Sequence, residues 1–355
     1  MKNNKLTSLD ISIFANFLFR AYFTIGGVNL IINIAKQDSL FSIILGSTMG
    51  FIPLLIFIFI NNRLQNKNIF QKIENTFPKL ISPLLNIILI ISTFLLGVYS
   101  LYNITLFINY NLLNDISLIA IALLLILSII YLSSRGIRTI IRTSIIILSI
   151  FLLISTTNLI SLAPYTNPSN LYPLMTNNFS NVYIASLYHM ILISTPLFLL
   201  LVIPKSEIND KHKYKKYMII SYIFSSIYNL INLILVISIL GIELTSILKY
   251  PEIMVLQKVS LLNFIERIED ILSFKILFDS FFILALSLFY IKIGIIDTFK
   301  FKGFKKKYLF DIIIGILMLI TGIILKPHNV YFLLITLTSI LAIHVLLMIF
   351  IKENK

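Results

Sequence analysis

Ten apolar runs, separated by short charged or Pro/Asn-rich breaks, leave this chain few folds to choose from. They cover approximately Leu9–Ile34, Leu40–Ile60, Ile81–Tyr110, Ile116–Ser134, Ile140–Ala163, Val182–Ile203, Met218–Gly241, Phe274–Ile296, Leu309–Leu325 and Val330–Ile351. A helix needs about 20 residues to cross the hydrocarbon of a bilayer, so each run is read as a transmembrane helix. The runs show no polar/apolar alternation, which excludes a porin-like barrel. At 58% hydrophobic and 12% charged, the 355 residues carry more apolar surface than a water-soluble core can hide. The absence of Cys rules out disulfides, thiolate metal sites and cysteine nucleophiles. Trp is absent as well, leaving 17 Tyr and 28 Phe to form an interfacial aromatic belt. The first run is too long for the core of a signal peptide and lacks a small-residue cleavage site.

The net charge of +14 sits in loops, which argues for topology rather than nucleic-acid binding. One alternate set of segments holds 21 of the 29 Lys and Arg, including Lys2, Arg63, Arg135, Lys205, Lys213, Lys305 and Lys352. The opposite set holds only Lys36, Lys249, Lys258, Arg267 and Lys326. Positive charge stays on the cytoplasmic side, so both termini are expected there, in keeping with an even number of spans.

Two runs contain helix breakers: Gly26-Gly27 in the first and Ser194-Thr195-Pro196 in the sixth. Backbone groups freed by such residues must face protein or a wet cavity, because lipid offers no partner. Runs one and six are equivalent if ten spans divide into two fives, and a repeat of five inverts in the membrane. Residues 1–163 and 182–355 would be the halves, joined by an outer loop over 164–181 in a single transmembrane domain. Paired broken helices in inverted halves point to a transporter-type binding site near the midplane. The alternative is that Gly and Pro are simply common in membrane helices.

Several short segments, in order along the chain, resemble the spore germination permeases, the B subunits of germinant receptors. These are Ile11-Ser12-Ile13-Phe14-Ala15-Asn16, Gln37-Asp38 before run two, Ile203-Pro204-Lys205 after run six, and Phe264-Ile265-Glu266-Arg267-Ile268-Glu269 before run eight. The resemblance implies the amino acid–polyamine–organocation superfamily and an all-α fold of ten helices in a LeuT-like five-plus-five arrangement. It implies a subunit of a spore inner-membrane receptor that senses a small nutrient, an amino acid above all. Expected partners are that ligand, membrane lipid, a second membrane subunit and a lipoprotein. The family's glycines at the two breaks fall here near Arg20-Ala21-Tyr22 and at Pro196.

Candidate ligand-binding residues cluster at the breaks: Arg20, Ala21, Thr24, Gly26 and Gly27 in run one, and His189, Ser194, Thr195 and Pro196 in run six. Tyr99, Tyr102 and Asn103 of run three, three or four residues apart, could line the opposite wall or form a polar seam between helices. Arg20 lies deep in its run, where a bare Arg costs roughly 2.5–3.5 kcal/mol on insertion scales. Three arrangements satisfy it: an ion pair with Asp279 of run eight, a bidentate grip on a ligand carboxylate, or a water-lined position. Lys275 competes for Asp279 at four residues' spacing; otherwise Lys275 and Lys292 snorkel to the two interfaces. His189 is either a proton or ligand contact or a neutral residue bonded to a helix neighbour. His212, His328 and His344 are read as bystanders.

Leu261, Leu262, Ile265, Ile268 and Leu272 recur on one face before run eight, with Glu266, Arg267, Glu269 and Asp270 mainly opposite. That reads as an amphipathic helix lying over the bundle, or as an outer gate or partner contact through Glu266, Arg267 and Glu269. No metal-ligand spacing, nucleophile–base arrangement or phosphate-cradling loop is present, so neither an enzyme nor a cofactor is expected. The remaining alternative to a receptor subunit is a proton-coupled amino-acid transporter with the same site.

Overall fold

The computed structural model describes residues 5–175, 178–257, 268–301 and 307–351, and they form an all-helical bundle. The first run becomes α1 (Ser8–Tyr22) and α2 (Val28–Ala35), interrupted at Phe23–Gly27; the second becomes α3 (Ser39–Met49) and α4 (Phe51–Leu64). A short α5 (Ile69–Thr76) precedes α6 (Ile81–Asn111), α7 (Leu118–Ser134) and α8 (Ile137–Leu162). The second half holds α9 (Phe179–Ser194), its tighter continuation Thr195–Val202, α10 (Tyr214–Ile247), α11 (Pro251–Gln257), α12 (Ile268–Thr298), α13 (Tyr308–Leu325) and α14 (Val330–Phe350). Among the described residues, eight helical stretches are long and apolar enough to cross a membrane. One of them, Ser8–Leu64, runs through both of the first two predicted spans, and the equally apolar α7 is 17 residues long.

The bundle is apolar outside as well as inside. Leu124 and Leu127 of α7, Ile146 and Leu153 of α8, and Ile313 and Ile316 of α13 all face outward. A soluble protein would not leave such bands uncovered; lipid is the solvent that accepts them. At the centre, every residue from Phe282 to Leu288 of α12 is buried, as is every residue from Phe14 to Val28 of the first span. Helices that are apolar all round belong in the middle of a large bundle. Small residues then let neighbours approach. A Cβ on Gly46 of α3 would stand 2.5 Å from the Ser186 carbonyl oxygen and 2.9 Å from His189 Cβ, so α3 and α9 touch nearly backbone to backbone there.

Two polar tethers fix the ends. At the N-terminal end, Leu6 pairs with the segment after the sixth run: its N–H donates to the Glu207 carbonyl at 3.2 Å and its own carbonyl accepts from Asn209 N–H at 3.0 Å. Ser8 continues the contact, donating from its backbone N–H to Asp210 Oδ1 at 2.6 Å and from its hydroxyl to the Asp210 carbonyl at 2.8 Å. The backbone and hydroxyl donors of Ser8, together with Lys213, outweigh partial burial and hold the Asp210 carboxyl below its ordinary range. At the other end, α10 turns at Gly241, whose φ of +74° interrupts the helix. The Ser238 carbonyl accepts instead from Asn167 N–H at 3.0 Å and Asn170 Nδ2 at 2.8 Å, both from the loop before α9.

Lys292 does not snorkel. It is buried in α12 and donates to Asp311 Oδ2 of α13 at 2.9 Å and to the Ser133 carbonyl of α7 at 2.9 Å, while the Ser133 hydroxyl donates to Asp311 Oδ1 at 2.6 Å. Asp311 lies within the first turn of its helix, close enough to reach Lys292, and a closed triad satisfies the ammonium better than stretching its chain outward. Removing one member of such a pair strands the other. Asp311→Ala is expected to cost about 3–5 kcal/mol, and the apolar pair Lys292→Met with Asp311→Leu to regain most of it. Thermal unfolding of the purified protein in detergent measures both; a double variant no more stable than Asp311→Ala would contradict the assignment.

Candidate functional site

The first span breaks where its glycines lie. Ile25 has φ −92° and ψ +62°, and Gly26 has φ +94° and ψ −7°, a conformation side chains rarely adopt. Space is limited too: a Cβ on Gly26 would sit 3.2 Å from Val330 Cγ2, and one on Gly27 2.7 Å from the Tyr22 carbonyl oxygen and 3.1 Å from Leu192 of α9. The sixth span changes character at Pro196, which has no N–H to give. From Thr195 to Val202 the helix is tightened, and it ends at Ile203 in an extended conformation. The first break packs on the helix that leads to the second: Phe23 meets the His189 ring edge-on at 5.3 Å, and Gly27 lies against Leu192.

Polar groups collect around them. His189 is fully buried, with Nε2 3.1 Å from the Ser47 hydroxyl of α3 and Nδ1 without a hydrogen-bond partner. The buried Thr195 hydroxyl also has none, whereas Thr24 bonds back to the Ala21 carbonyl at 3.1 Å and Ser194 to that of Met190. Ala21 is buried within α1.

About one turn before the first break, Arg20 meets Asp279 of α12: Nη2 to Oδ1 is 3.0 Å, and both side chains are fully buried. Arg20 Nε donates to the Asn16 carbonyl at 3.1 Å, and the guanidinium lies 3.8 Å from the Phe151 ring centroid and 5.3 Å from those of Phe17 and Tyr228. Nη1 and Asp279 Oδ2 have no hydrogen-bond partner, so the contact is a single bond, not a bidentate clasp. Lys275 makes no hydrogen bond to Asp279; nor does it snorkel. It is buried with its ammonium 4.2 Å from the Tyr228 ring centroid. Aromatic faces stabilise both cations here.

Run three divides. Tyr99 is buried, 6.3 Å from the Tyr22 ring and stacked at 6.5 Å on Phe332. Asn103 donates to the Pro327 carbonyl at 2.9 Å and accepts from Lys249 Nζ at 3.2 Å, toward the outer corner. Burial pushes the Lys249 ammonium below its ordinary range. Tyr102 does not share that face; it lines a separate apolar groove with Leu101, Leu118 and Leu319. At about 100° per residue, positions 102 and 103 lie a quarter-turn apart, and the bundle uses only one of the two directions. Glu266 and Arg267 lie outside the described residues, as does the side chain of Glu269; Glu269 itself falls in the first turn of α12, which starts at Ile268 and is continuous with run eight. Among the described residues no three of His, Asp and Glu come together as metal ligands.

The signature of one family, described as spore germination protein, matches residues 9–330. The chain belongs to that family. Among curated proteins none matches it significantly. Among solved structures, two crystal structures of single-residue mutants of the Eremococcus coleocola manganese transporter share its fold, with TM-scores of 0.53 and 0.52. Both are 14% identical to it, over 95% of this chain and 75% of theirs. The chain therefore has a LeuT-like transporter fold.

Sequence reading did not single out Ser133, Asp311 or Glu252. Asp311 is a carboxylate within the first turn of an apolar run, which is the signal that finds such a pair. For the Arg20–Asp279 contact, Arg20→Ala and Asp279→Ala are each expected to destabilise by about 3–5 kcal/mol, with the double variant close to either single one. Unfolding midpoints complete the cycle, and additive losses would show that the two do not interact.

Proposed function

We propose that this protein is the integral membrane subunit of a spore germinant receptor. It binds a small nutrient, an amino acid, at the junction of the two breaks, and the bound ligand shifts a transporter-like scaffold that partner subunits read. Family membership supports the germination role, and the transporter fold supports a two-state mechanism. The observation that carries the ligand site is the pairing of a glycine-dependent break at Gly26 with buried hydrogen-bonding atoms left over at Thr195 Oγ1 and His189 Nδ1. Buried polar atoms without partners are costly, and a ligand that supplies partners recovers that cost in the state it binds.

In this reading both termini are cytoplasmic, the membrane is the spore inner membrane, and a second membrane subunit and a lipoprotein complete the receptor. The chain performs no catalysis. A proton-coupled amino-acid carrier is the competing reading, favoured by the fold it shares with a transporter.

Spores lacking the chain, followed by dipicolinate release across amino acids and sugars, distinguish the two. Loss of response to one nutrient is expected, restored by the unmodified chain. Gly26→Ala should reach the membrane yet fail to restore it, because Ala is strained at that φ and would press on Val330. Germination unchanged toward every nutrient, with altered uptake in growing cells, would favour the carrier.

A further inference from the structure

The seven-residue helix α11 is wedged between α8, α10 and α12, with Ile253, Val255 and Leu256 buried. Glu252 is buried with them, only 7% exposed, and neither of its carboxylate oxygens has a hydrogen-bond partner. Asn232 Nδ2 of α10 and Ser155 Oγ of α8 are likewise buried without partners. All three residues line one cavity of about 40 Å³, together with Thr24 at the first break, Tyr228 and Lys275. A water needs roughly 10–15 Å³ measured this way, so the cavity has room for water or an ion and not for an amino acid. It is separate from the junction at Thr195 and His189, neither of which lines it.

We propose that Glu252 is a proton-binding site, and that the proton it holds keeps α11 seated in the bundle. Among the described residues, the charged and titratable groups around it are few. Lys275 and, one turn deeper, Asp279 come from α12; Tyr228 comes from α10; Arg20 comes from α1; Lys249 and Tyr250 flank α11 itself; α8 contributes Ser155 and Phe151 but no titratable side chain. Lys249 is engaged with Asn103, and Lys275 is held over Tyr228 without an ion pair to Glu252. A metal cation in the cavity would sit against the Lys275 ammonium, whereas a proton neutralises the carboxylate without adding a second cation beside it.

Burial raises the Glu252 carboxyl to about 7 despite the opposing pulls of the local backbone N–H, Lys275 and the nearby Asn232 amide. Once α11 leaves its seat and water reaches the carboxyl, the ordinary value of 4.5 returns. The seated state therefore binds the proton more tightly, and unseating releases it. Unseating is favoured as pH rises between 4.5 and about 7, by about tenfold per pH unit and on the order of a hundredfold in all, and it levels off above that window.

The natural absence of Cys makes the test specific. Full-length protein carrying Ile253→Cys, a position 4% exposed, is placed in lipid nanodiscs and labelled with a polar thiol reagent. Met254→Cys, 38% exposed, corrects for the reagent's own pH dependence. The corrected labelling rate should rise on the order of a hundredfold from pH 4.5 to 7 and then flatten; Glu252→Gln should hold it at the low-pH level. Infrared difference spectra of the unmodified protein should show a protonated carboxylic acid titrating near 7, a readout that needs no folded variant. A flat rate in the unmodified background, a rise that persists in Glu252→Gln, or no carboxylic acid titrating near 7 would each overturn the proposal. The outcome does not depend on nutrient binding at the breaks.

Discussion

A guanidinium inside an apolar bundle must be neutralised, and much of this architecture follows from how Arg20 is. Asp279 supplies the counter-charge from α12, Phe151 and Tyr228 supply aromatic faces from α8 and α10, and Asn16 supplies a carbonyl one turn back. Three helices are thereby drawn around the last turn before the break in span one. The desolvation of both charges is large, so the pair adds little net stability over an apolar replacement. What it adds is registry, because α1 can slide or rotate against α12 only by separating two buried charges. The same logic repeats toward the far end of α12, where Lys292 ties that helix to α7 and α13. One central helix thus carries two charged anchors of opposite sign, each facing a different set of neighbours.

The parts of this arrangement legible in the sequence are those set by chemistry that tolerates no alternative. A run of 20 apolar residues has nowhere else to go, and Gly26-Gly27 and Ser194-Thr195-Pro196 mark breaks because glycine alone relaxes at φ +94° and proline cannot donate. Arg20 and Asp279 could be matched because few charges lie so deep. Direction was the harder matter. Lys275 and Lys292, each near one end of run eight, look free to reach an interface, and nothing local says that Tyr228 or Asp311 waits closer. Tyr102 and Asn103 are adjacent in sequence yet face opposite groups, and only the packing of α6 decides which faces inward. Glu252 was hidden for a related reason: a carboxylate next to Lys249-Tyr250-Pro251 reads as loop, and its burial depends on α11 folding back into the bundle.

The two halves of span one are tethered at different points, and that division gives the break its mechanical meaning. Below it, α1 is sewn to α10 by Ser221 donating to the Ser12 carbonyl at 2.7 Å and Ser225 to Asn16 Oδ1 at 2.9 Å, to α12 through Arg20, and at its start to Asp210. Above it, α2 depends on Asn29, whose amide donates to the carbonyls of Ser246 at 2.7 Å and Leu248 at 2.8 Å, where α10 ends and α11 is about to begin. A continuous helix would transmit any shift of one half to the other. With Ile25 and Gly26 between them, α1 is tied to α10 and α12, whereas α2 is tied to α9 and to the α10–α11 corner. On the proposed reading, a ligand at the junction would touch both bodies, so its binding free energy would act on the angle between them, and Asn29 would link the corner to the same junction. Coupling between the outer surface and the centre therefore needs no path through the lipid-facing helices; it needs only that the break remain the most compliant point in the span.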